Sequence, residues 1–138
     1  MINDNKDILK FHINVEGKVA LRKDNILTFE RNPDSKSLNL VTMKNDVRLL
    51  KEWTKETGPL PYLSDNRNLK LATFEERQFA QENLPLFASK TAVLVKSGLS
   101  NFLYNLMLHL NKPTIPMKSF TSIDKAFIWL KEHEEEKI

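Results

Sequence analysis

The sequence predicts an α/β fold: helices packed on a mixed β-sheet, antiparallel in its N-terminal part and parallel in a C-terminal βαβα part. Three observations support this prediction. Residues 9–15 are apolar at every second position, as in a half-buried strand. Residues 91–95 show no polar alternation, which is typical of a strand covered on both faces. Two segments with helical spacing then flank an extended run at residues 114–120.

The N-terminal part is predicted to be an antiparallel meander of strands. The first strand covers residues 9–15, and Gly17 ends it. Residues 19–21 and 26–29 are the next two extended segments. The turn between them contains Asn25, a residue type that adopts a positive φ at low cost.

The first helix is predicted over residues 43–56. Thr42 can cap it, because a threonine hydroxyl can accept from a free amide of the first turn. Val47 and Leu50 share its apolar face, and Gly58 ends it.

The second helix is predicted to begin with a capping box formed by Thr73 and Glu76. The Thr73 hydroxyl can accept from the Glu76 amide, and the Glu76 carboxylate can accept from the Thr73 amide. Pro85 should end or bend this helix. The side chains expected to face the core are Phe79, Ala80 and Phe87.

The C-terminal part is predicted to alternate strands and helices. Gly98 opens a helix, and Pro113 follows its end. Pro116 cannot donate to a ladder, so the strand at residues 114–120 is expected to be an edge strand or to contain a bulge. Since strands and helices alternate here, right-handed crossovers should make the strands parallel. The core stripe of the helix is expected to be Leu99, Phe102, Leu103, Leu106 and Leu110.

The last helix is predicted to be capped by Thr121, with Asp124 three residues later. Its inward side chains should include Leu130, whose truncation to alanine would leave a cavity in a small core. The other side chains expected to face inward are Ile123, Ala126 and Phe127.

Length and composition indicate a soluble globular chain of 138 residues, 41% hydrophobic and 28% charged. One domain over residues 1–138 is expected, with residues 1–8 and 134–138 as loose termini. Cysteine is absent, which excludes disulfides and thiolate sites. The longest apolar run, residues 92–95, is too short to span a membrane, and the N-terminus lacks the apolar region of a signal peptide. A cytoplasmic protein is therefore predicted.

The charge pattern argues against a nucleic-acid partner. The net charge is +3, from 21 basic and 18 acidic residues, and the basic residues are scattered along the sequence. Nucleic-acid binding normally needs a basic stripe that neutralises several phosphates. The three histidines, His12, His109 and His133, form no ligand pattern with each other or with nearby acidic residues, so neither a metal nor a cofactor is expected.

Several motifs give the chain a family resemblance over about residues 19–133. The motifs are Leu63-Ser64-Asp65-Asn66-Arg67, Glu76-Arg77-Gln78-Phe79-Ala80, Asn111-Lys112-Pro113-Thr114-Ile115-Pro116, and Phe120-Thr121 leading to Ala126-Phe127-Ile128-Trp129-Leu130. With these motifs the chain resembles the STAS-like, anti-sigma-factor-antagonist-like domains of bacteria, and most closely a branch of small stand-alone proteins of unassigned function. This resemblance implies a STAS-like fold. It also implies a regulatory or protein-interaction role, or, as in other relatives, binding of lipids or hydrophobic ligands in a cleft.

Better-known members of that family are switches that are phosphorylated on a Ser or Thr at a helix start. This sequence departs from them, because the Asp-Ser-Ser-Gly type of loop is replaced by Leu71-Ala72-Thr73-Phe74. A phosphate on Thr73 would lie favourably at a helix N-terminus. A simple N-cap is the favoured interpretation of Thr73.

Asp65, Arg67 and Arg77 form the best polar constellation. Asp65 and Arg67 follow a short buried strand at residues 60–63, at the strand end where α/β folds place ligands. Arg77 lies one turn into the next helix and could pair with Asp65. A structural ion pair is favoured over a ligand site or an enzyme that uses Asp65 and Arg77. No Ser-His-Asp arrangement, Gly-rich phosphate loop or catalytic acid pair is recognisable, so no catalytic residues are assigned.

Tyr104 and Leu108 are predicted to lie opposite the apolar stripe of their helix, one turn apart. They are either scattered surface residues or a contact patch for a protein partner or a second copy.

The sequence therefore predicts a non-catalytic STAS-like regulatory or protein-interaction module that binds a protein partner or forms a homodimer. The alternative is a binder of a small apolar or lipid-like ligand in a cleft of the same fold.

Overall fold

The computed structural model describes residues 2–35, 39–67, 73–110 and 112–132. Within them the chain forms a six-stranded sheet whose strands lie side by side in sequence order. The strands are β1 (Ile8–Ile13), β2 (Gly17–Arg22), β3 (Leu27–Arg31), β4 (Leu60–Asp65), β5 (Ala88–Leu94) and β6 (Met117–Phe120). The helices are α1 (Leu40–Trp53), α2 (Phe74–Asn83), α3 (Gly98–Leu110) and α4 (Ile123–Lys131).

Strand pairing confirms the predicted mixed sheet. The pairs β1–β2 and β2–β3 are antiparallel, and the pairs from β3 through β6 are parallel. Parallel neighbours require crossovers, and the intervening helices provide them. None of the helices in the described ranges is long and apolar enough to cross a membrane.

The first strand is not half-buried as predicted, because Leu9, Phe11 and Ile13 are 57%, 58% and 63% exposed. It also ends earlier than predicted, at Ile13. The reason is the Asn14 side chain, whose Oδ1 accepts from the amides of Glu16 and Gly17 and so closes a turn. At Gly17 a Cβ would meet the Glu30 carbonyl oxygen at 2.1 Å, so the close approach of β3 requires glycine. Asn25 has a φ of 61°, as predicted.

The sheet is covered on two sides, which we name the α1 face and the α4 face. Successive side chains of β5 point to alternate faces of the sheet. Residues 91–95 are all buried, as expected of a strand covered on both faces. The core of the α1 face includes Val19, Leu21, Leu27, Phe29, Leu50, Tyr62 and Phe87. The core of the α4 face includes Ile2, Ile26, Leu63, Ala92, Leu94, Ala126 and Leu130.

Helix α1 begins at Leu40, three residues before the predicted start, and Thr42 is not its cap. Asn39 is the cap, because its side chain accepts from the amides of Val41 and Thr42. At the other end the Thr54 hydroxyl donates to the Leu50 carbonyl at 2.8 Å.

Helix α2 begins with the predicted capping box. The Glu76 amide donates to Thr73 Oγ1 at 3.1 Å, and the Thr73 amide donates to Glu76 Oε1 at 2.8 Å. The helix ends at Asn83, and Pro85 lies in the short 3-10 turn that follows, as expected. Ala80 is exposed, contrary to prediction.

Helix α3 is rotated relative to the prediction. Its expected core stripe faces outward, with Leu99, Phe102 and Leu110 exposed by 70%, 63% and 72%. The physical reason lies on the inward side, where Asn105 Oδ1 accepts from the Ser119 amide at 2.9 Å and Asn101 Oδ1 from the Ser119 hydroxyl at 2.8 Å. Ser119 is only 1% exposed, so its polar groups need these partners.

Strand β6 is an edge strand, as Pro116 predicted, and it begins immediately after that proline. The Pro116 carbonyl still accepts from the Thr91 amide at 2.9 Å. Helix α4 is capped by Ser122 instead of Thr121, since the Ser122 side chain accepts from the Lys125 amide. Ala126 and Leu130 point into the core, as expected.

The N-terminal residues are held against the sheet, although residues 1–8 were expected to be loose. Ile2 is 6% exposed within the core of the α4 face. Asn3 Nδ2 donates to Thr28 Oγ1 at 2.7 Å. The other terminus that was expected to be loose, residues 134–138, lies outside the described residues.

Candidate functional site

Asp65 forms the ion pair expected of it, but with a different arginine. Arg67 donates to the Asp65 carboxylate twice, from Nε to Oδ1 at 2.8 Å and from Nη2 to Oδ2 at 3.0 Å. The Arg31 amide also donates to Asp65 Oδ2, at 3.2 Å. Burial alone would raise the pKa of Asp65, but the hydrogen bonds from Arg67 outweigh it and lower that pKa. Asp65 therefore joins β3 to the end of β4, while Arg77 is exposed on α2. The predicted Asp65–Arg77 pair was wrong.

The remaining predicted residues occupy separate places. Thr73 is an exposed N-cap whose hydroxyl accepts from the Glu76 amide, as the favoured interpretation expected, and its phosphorylation stays the less favoured hypothesis. Tyr104 and Leu108 are half-buried on the inward side of α3, so their predicted outward orientation was wrong. Tyr104 instead helps to line a cavity.

This cavity, of about 180 Å³, lies on the α1 face between the sheet and the helices α1 and α2. Its surface is mostly apolar. An apolar cavity of about 150 Å³ can hold benzene, so this one has space for a ring-sized molecule. The principal apolar and aromatic lining residues are Phe29, Leu50, Tyr62, Phe87, Val93 and Met117.

Three buried ionisable residues also line the cavity, and we call them its polar end: Glu16, Arg31 and Asp46. Their exposed fractions are 4%, 5% and 8%. Glu16 comes from the turn before β2, and Arg31 is the last residue of β3. Asp46 comes from α1, where Asn14 Nδ2 donates to its Oδ1 at 2.9 Å.

Some buried polar atoms at the cavity have no hydrogen-bond partner among the described residues. They are Glu16 Oε1, Arg31 Nη1 and Thr91 Oγ1, and all three residues line this cavity. Thr91 lies on β5, two strands away from Arg31. Such atoms are rare in folded proteins, so their concentration here marks the cavity.

Burial also shifts the acidity of these groups. It raises the pKa of Glu16, against the Arg31 charge and a hydrogen bond from the Asn39 amide. It lowers the pKa of Arg31, against the charges of Glu16 and Asp65. It raises the pKa of Asp46 to about 6, against the His12 charge and the Asn14 hydrogen bond.

Two tyrosines also line the cavity. Burial raises the pKa values of Tyr62 and Tyr104, so both hydroxyls stay protonated near neutral pH and can donate hydrogen bonds.

The sequence contains a signal for the polar end in the positions of Arg31 and Asp46. Side chains alternate along a strand, so Arg31 shares a face with Leu27 and Phe29 and must enter the core of the α1 face. Asp46 likewise lies one turn before Leu50 on the buried stripe of α1. The same alternation explains Asp65, which turns away from the cavity while its neighbour Ser64 lines it.

A second, open groove runs between α1 and α2. It shows local clustering of basic residues, although the sequence suggested that they are scattered. Glu52 and Phe79 also line this groove. The basic side chains along it are Lys44, Arg48, Lys51 and Lys55.

Comparison with known proteins places the chain in a family. A domain family of unknown function, DUF7793, matches residues 20–134. The chain belongs to this family. The DUF7793 chain is also similar to the crystal structure of an uncharacterized DUF3478-family protein from Shewanella loihica PV-4, which has a SpoIIAA-like fold. The TM-score is 0.55 at 11% sequence identity, over 88% of this chain and 90% of that one. No curated protein matches.

This likeness confirms the STAS-like fold predicted for the DUF7793 chain. At 11% identity it bears on the fold alone.

Proposed function

We propose that this DUF7793 domain is a non-catalytic STAS-like module that binds a small, mainly apolar ligand in the cavity on the α1 face. One observation carries the proposal: a mostly apolar cavity of about 180 Å³ with a few buried polar groups at one end. That combination is typical of small-molecule sites, in which apolar walls supply affinity and a few polar groups supply orientation.

The cavity walls support a preformed site. Tyr62 and Phe87 pack edge to face, with ring centroids 5.3 Å apart. Both belong to the core of the α1 face, together with Leu50 of α1. Because these side chains are already held by the core, a ligand would bind without paying to order them.

Binding is favoured over catalysis because the chain lacks the motifs of common catalytic mechanisms. The sequence has no cysteine and no Gly-rich phosphate loop. Asp65 and Arg77, the residues considered for an enzyme, do not line the cavity.

The test is a titration with toluene that is monitored through the NMR chemical shifts of the cavity residues. Native mass spectrometry of the purified protein shows whether the protein retains a ligand. We expect shifts at Tyr62, Val93 and Met117. Ala80→Phe should abolish them, because Ala80 lines the cavity yet is exposed and can be enlarged without disturbing the core. Gln81→Phe, on the same helix but outside the lining, should bind like the wild type. Absence of shifts in the wild type, with no retained ligand, would contradict the proposal.

A second candidate function is self-association, and the outward face of α3 favours it. None of the 13 residues of α3 is an Asp, Glu, Lys or Arg. Leucines recur along its outer side with the alternating spacing of four and three residues that forms coiled-coil seams. These are Leu99, Leu103, Leu106 and Leu110.

The size of this face fits a second copy of the chain. Together with Phe102 and Met107 it presents six exposed apolar side chains. Each of these side chains exposes on the order of 100 Å² of surface. Together they would bury roughly 600 Å² per copy and about 1,200 Å² in a dimer, which is the lower end of the range for stable interfaces. An antiparallel pair of α3 helices about a two-fold axis would bury this face on both copies.

Sedimentation equilibrium tests this second candidate. Leu103→Lys with Leu106→Lys should convert a dimer into a monomer, because the charges would be buried in an apolar seam. Ile128→Lys, at an apolar α4 residue that is 63% exposed, should leave the dimer intact. A wild-type chain that remains monomeric at high concentration would rule self-association out.

A further inference from the structure

The polar end of the cavity contains a buried donor and a buried acceptor that do not satisfy each other. Arg31 Nη1 can only donate, and Glu16 Oε1, when ionised, can only accept. Within the described residues, the ion pairs do not include one between Glu16 and Arg31. Both side chains are more than nine-tenths buried, and both line the same cavity.

The other hydrogen bonds of these two residues hold them in place. The Arg31 amide and Nε both bond to Asp65, at 3.2 Å each. The Glu16 amide bonds to Asn14 Oδ1 at 2.9 Å, and the Asn32 amide donates to the Glu16 carbonyl at 2.8 Å. The Arg31 guanidinium is therefore held through its Nε, and the backbone that carries Glu16 is anchored, which positions both open atoms at the cavity.

Charge limits what the polar end can bind. Glu16 and Arg31 have opposite formal charges, so an ionic head group would meet one like charge without compensation in a poorly solvated place. An anion would approach Glu16 and Asp46, and a cation would approach Arg31. A neutral group with an acceptor and a donor side by side meets both open atoms favourably.

We propose that the ligand of this cavity carries a neutral amide or cyclic amide head group, with its carbonyl oxygen accepting from Arg31 and its N–H donating to Glu16. This inference rests on the proposed function, since it specifies the head group of the same ligand. The apolar body lies along Phe29, Tyr62 and Val93.

A series of probes that share one ring separates the inference from the proposed function. Benzamide, benzoate, benzylamine and toluene differ in the group on the ring, and each is titrated into the full-length chain by NMR near neutral pH. Benzamide is expected to bind at least tenfold more tightly than any of the other three.

Toluene binding without a gain for benzamide would overturn the head-group inference while leaving the proposed function standing. If water molecules alone supply the hydrogen-bond partners of the polar end, benzamide is likewise expected to bind no more tightly than toluene. Tightest binding of benzoate or benzylamine would also overturn the inference. No binding by any probe would contradict both.

A matched pair of variants locates the effect. Glu16→Gln keeps the shape of the side chain and removes its charge, so the affinity ratio of benzoate to benzamide should rise by roughly tenfold. Glu56→Gln removes the same charge at an exposed side chain outside the cavity lining and should leave that ratio unchanged. Unchanged toluene shifts in both variants would show that the cavity persists. A ratio that is equal in Glu16→Gln and the wild type would refute a role for Glu16.

Discussion

Three residues that line the cavity on the α1 face lower the stability of the fold. Glu16, Arg31 and Thr91 each bury a polar atom that the described residues leave without a partner. Leaving such an atom unpaired costs about 1–3 kcal/mol. These residues therefore lower the stability of the fold, and the proposed ligand site would account for their presence.

Thr91→Val should stabilise the chain by about 1 kcal/mol, because it removes an unpartnered hydroxyl at nearly constant shape. Urea unfolding monitored by circular dichroism measures the change. Thr28→Val is the matched control. Thr28 is 0% exposed, and its hydroxyl accepts from Asn3, so this change should destabilise. A loss of stability in Thr91→Val would show that its hydroxyl is satisfied.

Asp46 should make stability depend on pH. Its pKa is about 6 when folded, against an ordinary value of 3.8, so between these values the folded chain holds more protons than the unfolded chain. The free energy of unfolding therefore falls as pH rises through this window, and the ionised, buried carboxylate costs stability above it. Lowering the pH below the window removes that cost.

Asp46→Asn should stabilise the chain at pH 8 by about 1–2 kcal/mol, and by much less at pH 4. The asparagine retains the oxygen that accepts from Asn14. Urea unfolding at the two pH values tests this, and Asp34→Asn, at an exposed carboxylate, should change stability little at either. An equal effect of Asp46→Asn at both pH values would contradict the raised pKa.

Among the elements, α3 shows how polar partners can override an apolar pattern. The helix has two faces that could pack on the sheet, and the more hydrophobic one lies outward. The inward face carries Asn101 and Asn105, which satisfy the buried groups of Ser119. The apolar periodicity of α3 carries no information about the buried polar groups of β6, which need hydrogen-bond partners from the helix.

Asn105→Ala should therefore destabilise the chain by about 1–2 kcal/mol, because it leaves the buried Ser119 amide without its acceptor. Leu103→Ala, at a side chain that is 53% exposed, should cost less when measured at concentrations where the chain is monomeric. Thermal unfolding of both variants compares them directly. The reverse order would mean that the leucine stripe faces the core.

At the scale of the whole molecule, the sheet separates two cores. Leu50 anchors the core of the α1 face, and Leu130 anchors the core of the α4 face; each is 2% exposed. Strand β5 contributes to both, which explains its continuous apolar run. The cavity belongs to the α1 face alone, so the α4 face can be treated as scaffold.

Leu50→Val and Leu130→Val should each cost about 1 kcal/mol or more, from a lost methylene and the space it leaves. Because the two sites lie on opposite faces of the sheet, the double variant should lose the sum of the single losses to within about 0.5 kcal/mol. Urea unfolding of the three variants tests this. A larger coupling energy would show that the two cores are one.

Local chemistry was predictable from the sequence wherever a few neighbouring residues decide the outcome. The capping box of Thr73 and Glu76, the positive φ of Asn25 and the edge position after Pro116 are all of this kind. The caps of α1 and α4 were missed by one to three residues, because Asn39 and Ser122, which are also good N-cap residues, lie close to the threonines that were chosen.

The sequence by itself determined the fold class, since the change from alternating to continuous apolar runs distinguishes antiparallel from parallel strands. It also contained, in the alternation of β3, the inward position of Arg31. Only the tertiary structure decided which face of α3 packs inward and which polar residues meet. Glu16, Arg31 and Asp46 come from three separate segments, and packing alone brings their side chains to one cavity.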